Sequence, residues 1–365
     1  MRESVRESVG ESVSDDAPEG GVPARRDARR TTRGLPALAA SVAVLLAVLA
    51  LAVSIGSVSV TLGEVGAAVG RGLRGRTDGA LDAIVWSIRL PRVLLGAVVG
   101  GGLALAGAVF QGVFRNPLAD PYLIGTASGA GFGATLVMAL GAGVPLLARV
   151  GAPLAAFVAA LATVLLVTAL AREGRSLPTV RLILAGVVVG SILTAATSFV
   201  LLGAHEQAAG VLARLLGSFA FASWKDVAVV AAFTAPAAIA TMALARALDV
   251  LQLGEEGAAQ LGLPVERVKL ALLVLATLVT AAAVSVAGII GFVGLITPHA
   301  VRMAFGPAHR RLLPLALVWG AAFMVLADVL ARTALSPAEV PVGVVTALAG
   351  GPFFLALLRR RPEGV

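Results

Sequence analysis

Long apolar stretches, separated by short polar or Pro/Gly-containing breaks, run along almost the whole chain of 365 residues. A helix needs about 20 consecutive apolar residues to cross the hydrocarbon core of a membrane. Most of the stretches reach that length, and the one at 291–306 is shorter. They predict about ten transmembrane helices, at 36–56, 91–113, 122–142, 150–171, 178–203, 224–247, 268–288, 291–306, 313–332 and 341–358.

The composition excludes a water-soluble domain. Hydrophobic residues make up 58% of the sequence and charged residues 14%, whereas soluble domains are about 45–50% apolar and about 25% charged. The formal net charge of +8 does not indicate a nucleic-acid partner, because the basic residues stand singly or in short clusters between apolar segments. That distribution is typical of the loop charges that orient a membrane protein.

The first 34 residues differ from the rest of the chain. They repeat Arg-Glu-Ser-Val and continue with Pro, Gly, Asp and Arg, which is too little apolar surface to offset the entropy of ordering. We therefore expect a disordered cytoplasmic tail over 1–34 and a transmembrane domain over 35–361. An even number of spans places both termini on one side. The cytoplasmic side holds most of the 29 Lys and Arg in that arrangement, so we expect a multi-pass protein of the cell (inner) membrane with both termini cytoplasmic.

Glycines recur at a spacing of four inside the predicted helices. Small residues at this spacing let helix backbones approach closely where lipid offers no hydrophobic drive for association. Tight helix packing is therefore expected at Gly96/Gly100, Gly125/Gly129/Gly133 and Gly186/Gly190.

Side chains for enzyme chemistry are scarce. There is no cysteine, and the three histidines, His205, His299 and His309, lack the paired spacing of a metal site. Neither lysine, Lys225 or Lys269, lies in a phosphate-binding G-x-x-x-x-G-K-[ST] loop. We expect no catalytic residue, no metal site and no ATP site in this chain.

Asp328 is the clear candidate for an ionisable side chain in mid-membrane. Arg332 follows four residues later, which favours a neutralising pair on one helix face. Ion-coupled carriers usually carry several such groups. A secondary transporter is therefore the less favoured alternative, and the energy source is expected on another protein.

The segment at 253–265 predicts a structured knob between the sixth and seventh spans. Residues 255–261 can form a short helix, Gly262 can end it in a left-handed conformation, and Pro264 can start a second short helix. The knob is either a docking element for a cytoplasmic partner or simply a structured loop.

Several long motifs resemble the FecCD family, the permeases of binding-protein-dependent ABC importers for iron–siderophores, haem and vitamin B12. They are Arg89-Leu-Pro-Arg-Val-Leu-Leu-Gly, the stretch from Gly107 through Asn116-Pro-Leu-Ala-Asp-Pro to Gly125, Gly288-Ile-Ile-Gly-Phe-Val-Gly-Leu-Ile-Thr-Pro-His, Ala327-Asp-Val-Leu-Ala-Arg and Glu339-Val-Pro-Val-Gly-Val-Val-Thr-Ala. The resemblance runs in order from Leu35 to Arg361.

The resemblance implies an all-α type II ABC importer permease with about ten transmembrane helices. Its partners would be a second permease subunit, identical or paralogous, two cytoplasmic ATPase subunits that bind ATP and Mg²⁺, and an extracytoplasmic substrate-binding protein. This chain would bind no cofactor of its own. The knob would be the coupling element inserted into the ATPase, through Gly254, Glu255, Leu261 and Gly262.

The resemblance also assigns roles to two further groups of residues. Arg89, Arg92 and Arg332 match arginines that receive acidic residues of the binding protein, although arginines at helix ends also snorkel to the membrane interface. Asn116, Leu118 and Thr179 match a cytoplasmic gate, although a plain connecting turn is the alternative at Asn116 and Leu118, and Pro178 and Val180 depart from the pattern around Thr179. Arg214 replaces a common Trp.

The expected function is ATP-driven import of an iron chelate, ferric siderophore or haem. Import of vitamin B12 or another corrinoid by the same mechanism is the alternative, and the sequence does not choose between a homodimer and a heterodimer.

Overall fold

Each predicted span is a helix in the computed structural model, which describes residues 34–56, 58–77, 79–140, 151–174, 176–203 and 208–359. Most of the expected tail (residues 1–33) and His205 lie outside the described residues, whereas residue 34 already belongs to a helix. Within the described part, β pairing is limited to two isolated bridges. The fold is all-α, as predicted.

The helices follow one another with short connections. In chain order they are α1 Gly34–Ser54, α2 Leu62–Gly72, α3 Ala80–Ala83, α4 Leu90–Phe114, α5 Thr126–Leu140, α6 Ala152–Ala171, α7 Thr179–Gly203, α8 Ala208–Leu215, α9 Trp224–Ala243, α10 Ala245–Leu251, α11 Glu255–Gln260, α12 Val265–Ala287, α13 Val293–Phe305, α14 His309–Thr333 and α15 Val342–Arg359. A π-helical turn, Ile84–Arg89, joins α3 to α4, and a 3₁₀ turn, Pro121–Ile124, precedes α5.

Seven of the described helices are long and apolar enough to cross a membrane: α1, the continuous α3–α4 segment, α6, α7, α9, α12 and α14. The other three predicted spans, α5, α13 and α15, are shorter or less uniformly apolar. Each of the ten predicted spans therefore corresponds to a helix of the structure. Seven of these helices have the length and hydropathy expected of a full membrane span.

Helix α4 forms the centre of the bundle. It packs against α1, α9, α12, α13 and α14, and from Val99 to Phe114 every residue is buried. Pro91 lies in its first turn, directly after the π-helical turn Ile84–Arg89. Arg115 ends the helix in a left-handed conformation.

Close backbone contacts between helices occur at glycines. A Cβ built on Gly107 would lie 1.9 Å from the carbonyl oxygen of Gly294 on α13, and one on Gly100 would lie 2.4 Å from the carbonyl oxygen of Gly320 on α14. Gly133 comes similarly close to α6, whereas Gly96 has ordinary clearance. The expected glycine packing is therefore confirmed at most of the predicted positions but not at Gly96.

Candidate functional site

A cavity of about 920 Å³ lies in the described part of the chain and is open on one side. Three segments line it: the residues from Asp120 into α5, one face of α7, and the link between α12 and α13 around Phe292. Gly186 lets α7 approach the 3₁₀ turn, because a Cβ there would lie 2.2 Å from the Leu123 carbonyl oxygen. Two of these segments, the one that starts at Asp120 and the one around Phe292, carry quoted family motifs, and α7 closes the cavity against them.

The cavity wall is mainly apolar with a few hydroxyl groups. Its polar side chains are Asp120, Tyr122, Ser128, Ser191, Thr194 and Ser198, and its lining includes no Lys, Arg or His. The Tyr122 hydroxyl donates to the Ile290 carbonyl oxygen at 3.0 Å, which fixes the link between α12 and α13 to the 3₁₀ turn. Asp120, in the connection between α4 and α5, caps this turn by accepting from the Tyr122 N–H, and its burial raises the carboxyl pKa to about 6.

The residues assigned to a gate do not line the cavity. The Asn116 side-chain oxygen accepts from the Leu118 N–H at 2.9 Å, so the asparagine closes a turn at the exposed end of α4. Thr179 is the first residue of α7. The structure places all three at the same end of the bundle as the knob, and their gating role stays a prediction.

The knob is a short helix, α11, held between two glycines. Gly254 precedes α11 with φ of +98°, and Gly262 follows it with φ of +81°, a backbone region that L side chains rarely adopt. The expected second short helix is wrong, because Pro264 leads directly into the long helix α12. Gln252 ties the knob to the core by donating to the Gly112 carbonyl oxygen at 2.8 Å.

The two knob side chains assigned to coupling have different surroundings. Leu261 is 66% exposed, a large apolar side chain open to contact. The Glu255 carboxylate instead accepts from Lys269 Nζ at 2.8 Å. Glu255 is therefore engaged within the chain on one side while its side chain stays 41% exposed on the other.

The arginines assigned to docking lie at the opposite end of α4. From Arg92 to Arg115 the helix rises about 35 Å at 1.5 Å per residue, more than the hydrocarbon thickness of about 30 Å. Arg92 holds two acids at once: its guanidinium lies 2.9 Å from Asp328 of α14 and 2.8 Å from Glu339. The bonds from Arg92 lower the pKa of the Glu339 carboxyl, which lies outside the helices.

Arg89 and Arg332 bond to the last turn of α1 and the residues after it. Arg89 donates to the carbonyl oxygens of Val53, Ser54 and Val58, and Arg332 donates to that of Ala52 at 2.5 Å. Helix C-termini carry unpaired carbonyl groups and partial negative charge, which cations stabilise. The structure thus brings the three arginines together but bonds each of them within the chain.

The expected pair between Asp328 and Arg332 is only a minor contact. The shortest distance between them is 3.7 Å, whereas Asp328 makes three hydrogen bonds with Arg92 at 2.9–3.1 Å. The principal partner of Asp328 is therefore on another helix, because the planar guanidinium of Arg92 meets the carboxylate in a bidentate arrangement.

The described histidines have no metal-site geometry. His309 begins α14, and its Nδ1 lies 2.7 Å from Asp249 of α10, a structural contact at a helix end. His299 lies edge-on to Phe353. In the described residues no group of His, Cys, Asp or Glu could hold a metal ion. Arg214 borders a small pocket beside Ser285 and Gly288, and nothing in the structure explains the replacement.

Sequence reasoning missed Asp120, Glu339 and Lys269. Asp120 and Glu339 lie inside the quoted motifs. Each is a charged residue among apolar neighbours, and this pattern could have indicated a buried polar contact. Lys269 gave a similar signal, because a lysine that falls on an apolar helix needs a partner to be buried.

Comparison with known proteins agrees with this architecture. Residues 44–360 match the model of the FecCD transport family. The chain belongs to the FecCD transport family. It is 43% identical to the cobalamin import system permease protein of Halobacterium salinarum, over 77% of this chain and 74% of that one. It is 40% identical to the hemin transport system permease protein of Yersinia pestis, over 79% of this chain and 86% of that one.

A solved structure has the same fold. It is a metal-chelate type ABC transporter in an inward-facing conformation, with a TM-score of 0.78 and 31% identity, and the match covers 88% of this chain and 98% of that one. Together with the apolar helices, the family places this chain among the multi-pass membrane permeases of ABC importers.

Proposed function

We propose that this chain forms the path by which an ATP-driven importer moves a large metal chelate into the cytoplasm. The cavity between α5, α7 and the α12–α13 link carries this proposal. It adjoins the proposed gate loop, and its Gly, Ala, Ser and Val lining suits an extended organic ligand that must leave again. The openness of the cavity on one side suits closure by a second permease subunit.

Among large chelates, the proposed cargo is an iron chelate, ferric siderophore or haem, with a corrinoid as the alternative. The names of the two relatives, hemin and cobalamin transport, favour the macrocyclic members of this set. Uptake of labelled ferric siderophore, haem and cobalamin in cells lacking the chain, and in the same cells with it restored, tests the choice. A deficit confined to ferric siderophore would contradict the macrocyclic preference.

The energy source in this proposal is ATP hydrolysis on separate subunits that receive the knob. The knob presents an exposed Leu261, and it is tied to the end of α4 through Gln252 and to the base of α7 through Lys269. Its position at the end of the bundle opposite the arginines suits a cytoplasmic partner, and this orientation puts both termini in the cytoplasm.

Replacing Leu261 with Arg is expected to weaken co-purification of the ATPase by about tenfold or more. A buried apolar anchor at an interface contributes about 1–2 kcal/mol or more, and 1.4 kcal/mol corresponds to tenfold. Glu255→Arg is a poorer test, because it would place a second cation beside Lys269. Leu73→Arg is the matched control, since Leu73 is 75% exposed at the arginine end. Equal ATPase recovery with Leu261→Arg and Leu73→Arg would contradict the coupling role.

Docking of a substrate-binding protein is proposed at the arginine end, at Arg89, Arg92 and Arg332. Since Arg89 and Arg332 bond to α1 and the residues that follow it, Arg92 is the most suitable of the three for a partner's carboxylate. Glu339, which is partly exposed and bound to Arg92, is the group that such a carboxylate would displace. Charge-assisted bonds of this kind are directional, and long-range attraction speeds encounter.

A further inference from the structure

Lys269 is buried where three segments of the chain meet. It lies in the second turn of α12 and is 1% exposed. Its Nζ donates to the Leu177 carbonyl oxygen and to the Glu255 carboxylate, both at 2.8 Å, and lies 3.9 Å from the Glu266 carboxylate. A buried ammonium is costly unless it is paired and hydrogen-bonded, so these contacts define one arrangement of the three segments.

The lysine and its neighbour Glu266 clamp the backbone at the base of α7. Leu177 receives a bond from Lys269 at its carbonyl oxygen and gives one from its N–H to Glu266 at 3.0 Å. Pro178 follows, and α7 begins at Thr179. Two side chains of α12 therefore fix both polar groups of the residue that leads into the cavity-lining helix.

The same ammonium reaches the knob through Glu255, the first residue of α11. Helix α7 itself packs mainly on α5, α6 and the 3₁₀ turn. The contacts of Lys269 therefore connect the knob to the base of α7, in addition to the packing of α7 on the helices around the cavity.

We propose that Lys269 is a positioning residue that holds the knob and the base of α7 as one rigid unit. A displacement of the knob by the ATPase then moves α7, whose face lines the cavity through Gly186, Val187 and Ser191. This inference rests on the proposed function, because it explains how the importer would pass motion from the ATPase to the path.

The first test compares transport with ATP hydrolysis in the complete importer reconstituted with its ATPase. Lys269→Met keeps the length and apolar stem of the side chain but removes the ammonium. We expect the complex to assemble and hydrolyse ATP, with the chelate transported per ATP reduced roughly fivefold or more, as expected for loss of a coupling interaction. Lys269→Arg should restore part of the ratio. Lys225→Met is the matched control, since Lys225 is exposed.

The second test measures the rigid unit directly. The chain has no cysteine, so spin labels on Gln260→Cys of the knob and Leu184→Cys of α7 report one distance within the chain. With Lys269 present, this distance should be the same in the nucleotide-free and ATP-bound importer. With Lys269→Met it should change between the two states.

Two results would overturn the inference: an unchanged transport-to-ATP ratio in Lys269→Met, or a label distance that varies with nucleotide while Lys269 is present. If Lys269→Met fails to fold, the test is the label distance in the protein that keeps Lys269, compared between the nucleotide-free and ATP-bound states. Failure of the proposed function is distinguishable, because then no ATPase would co-purify or ATP would drive no transport in the unaltered complex.

Discussion

Asp328→Asn is expected to destabilise the folded chain by about 3–5 kcal/mol, the usual cost of removing one partner from a buried ion pair. Asp328 is buried, and it neutralises Arg92 and lies 3.7 Å from Arg332. The amide keeps the shape but leaves two arginines to share the partly exposed Glu339. Thermal unfolding of the purified chain in detergent, followed by its midpoint and the yield of monodisperse protein, measures the loss.

Glu173→Gln is the control for Asp328→Asn. It removes the carboxylate that pairs with Arg181 at 3.2 Å, where both side chains are more than half exposed, and exposed pairs contribute about 0–1 kcal/mol. The double variant Arg92→Gln with Asp328→Asn should lose less free energy of unfolding than the two single variants lose in sum, because each substitution removes the partner of the other residue. Additive costs would show that Asp328 does not act through Arg92.

Gly107→Ala is expected to prevent correct packing of α4 against α13. The added Cβ would lie 1.9 Å from the Gly294 carbonyl oxygen and 2.5 Å from its Cα. Overpacking a core costs about 1–3 kcal/mol and occasionally more. We expect the cost of Gly107→Ala to be at or above the upper end of that range, because the atoms in the way are backbone atoms and cannot rotate aside as a side chain would. Recovery of monodisperse protein and its unfolding midpoint are the measurements.

Gly96→Ala on the same helix is the matched control for Gly107→Ala. A Cβ at Gly96 would have its nearest neighbours at 3.8 Å, which is ordinary van der Waals contact, so this change should be tolerated. Gly66→Ala of α2 meets open space and should stabilise by about 0.5–1 kcal/mol, the usual helix preference for Ala over Gly. Similar losses for Gly96→Ala and Gly107→Ala would contradict the packing described here.

The helices could be predicted from the sequence because the requirement for a span is local. Twenty apolar residues in a row are visible without knowledge of the fold, and positions of helix ends such as Gly262 depend on the residue itself. The glycine spacing likewise predicted close packing at Gly100 and Gly133, although it gave no means of telling the loosely packed Gly96 from them.

The charged contacts could not be predicted in the same way. The pair of Asp328 and Arg332 was visible because the two residues are four positions apart, whereas the stronger partner Arg92 is 236 positions away. Lys269 and Leu177 are 92 positions apart. Which of several arginines meets a carboxylate is decided by helix packing, so motif resemblance located the arginine end and the knob without revealing their internal bonds.

ATP-dependent transport by the isolated components tests the central claim most directly. The chain would be purified with its ATPase, reconstituted into proteoliposomes and given the binding protein loaded with the chelate that the uptake assay identifies. We predict that chelate crosses the membrane only when ATP is hydrolysed, and that an ATPase unable to hydrolyse ATP abolishes transport. Chelate movement driven by an ion gradient in the absence of ATP would contradict the assignment of this chain as an ABC importer permease.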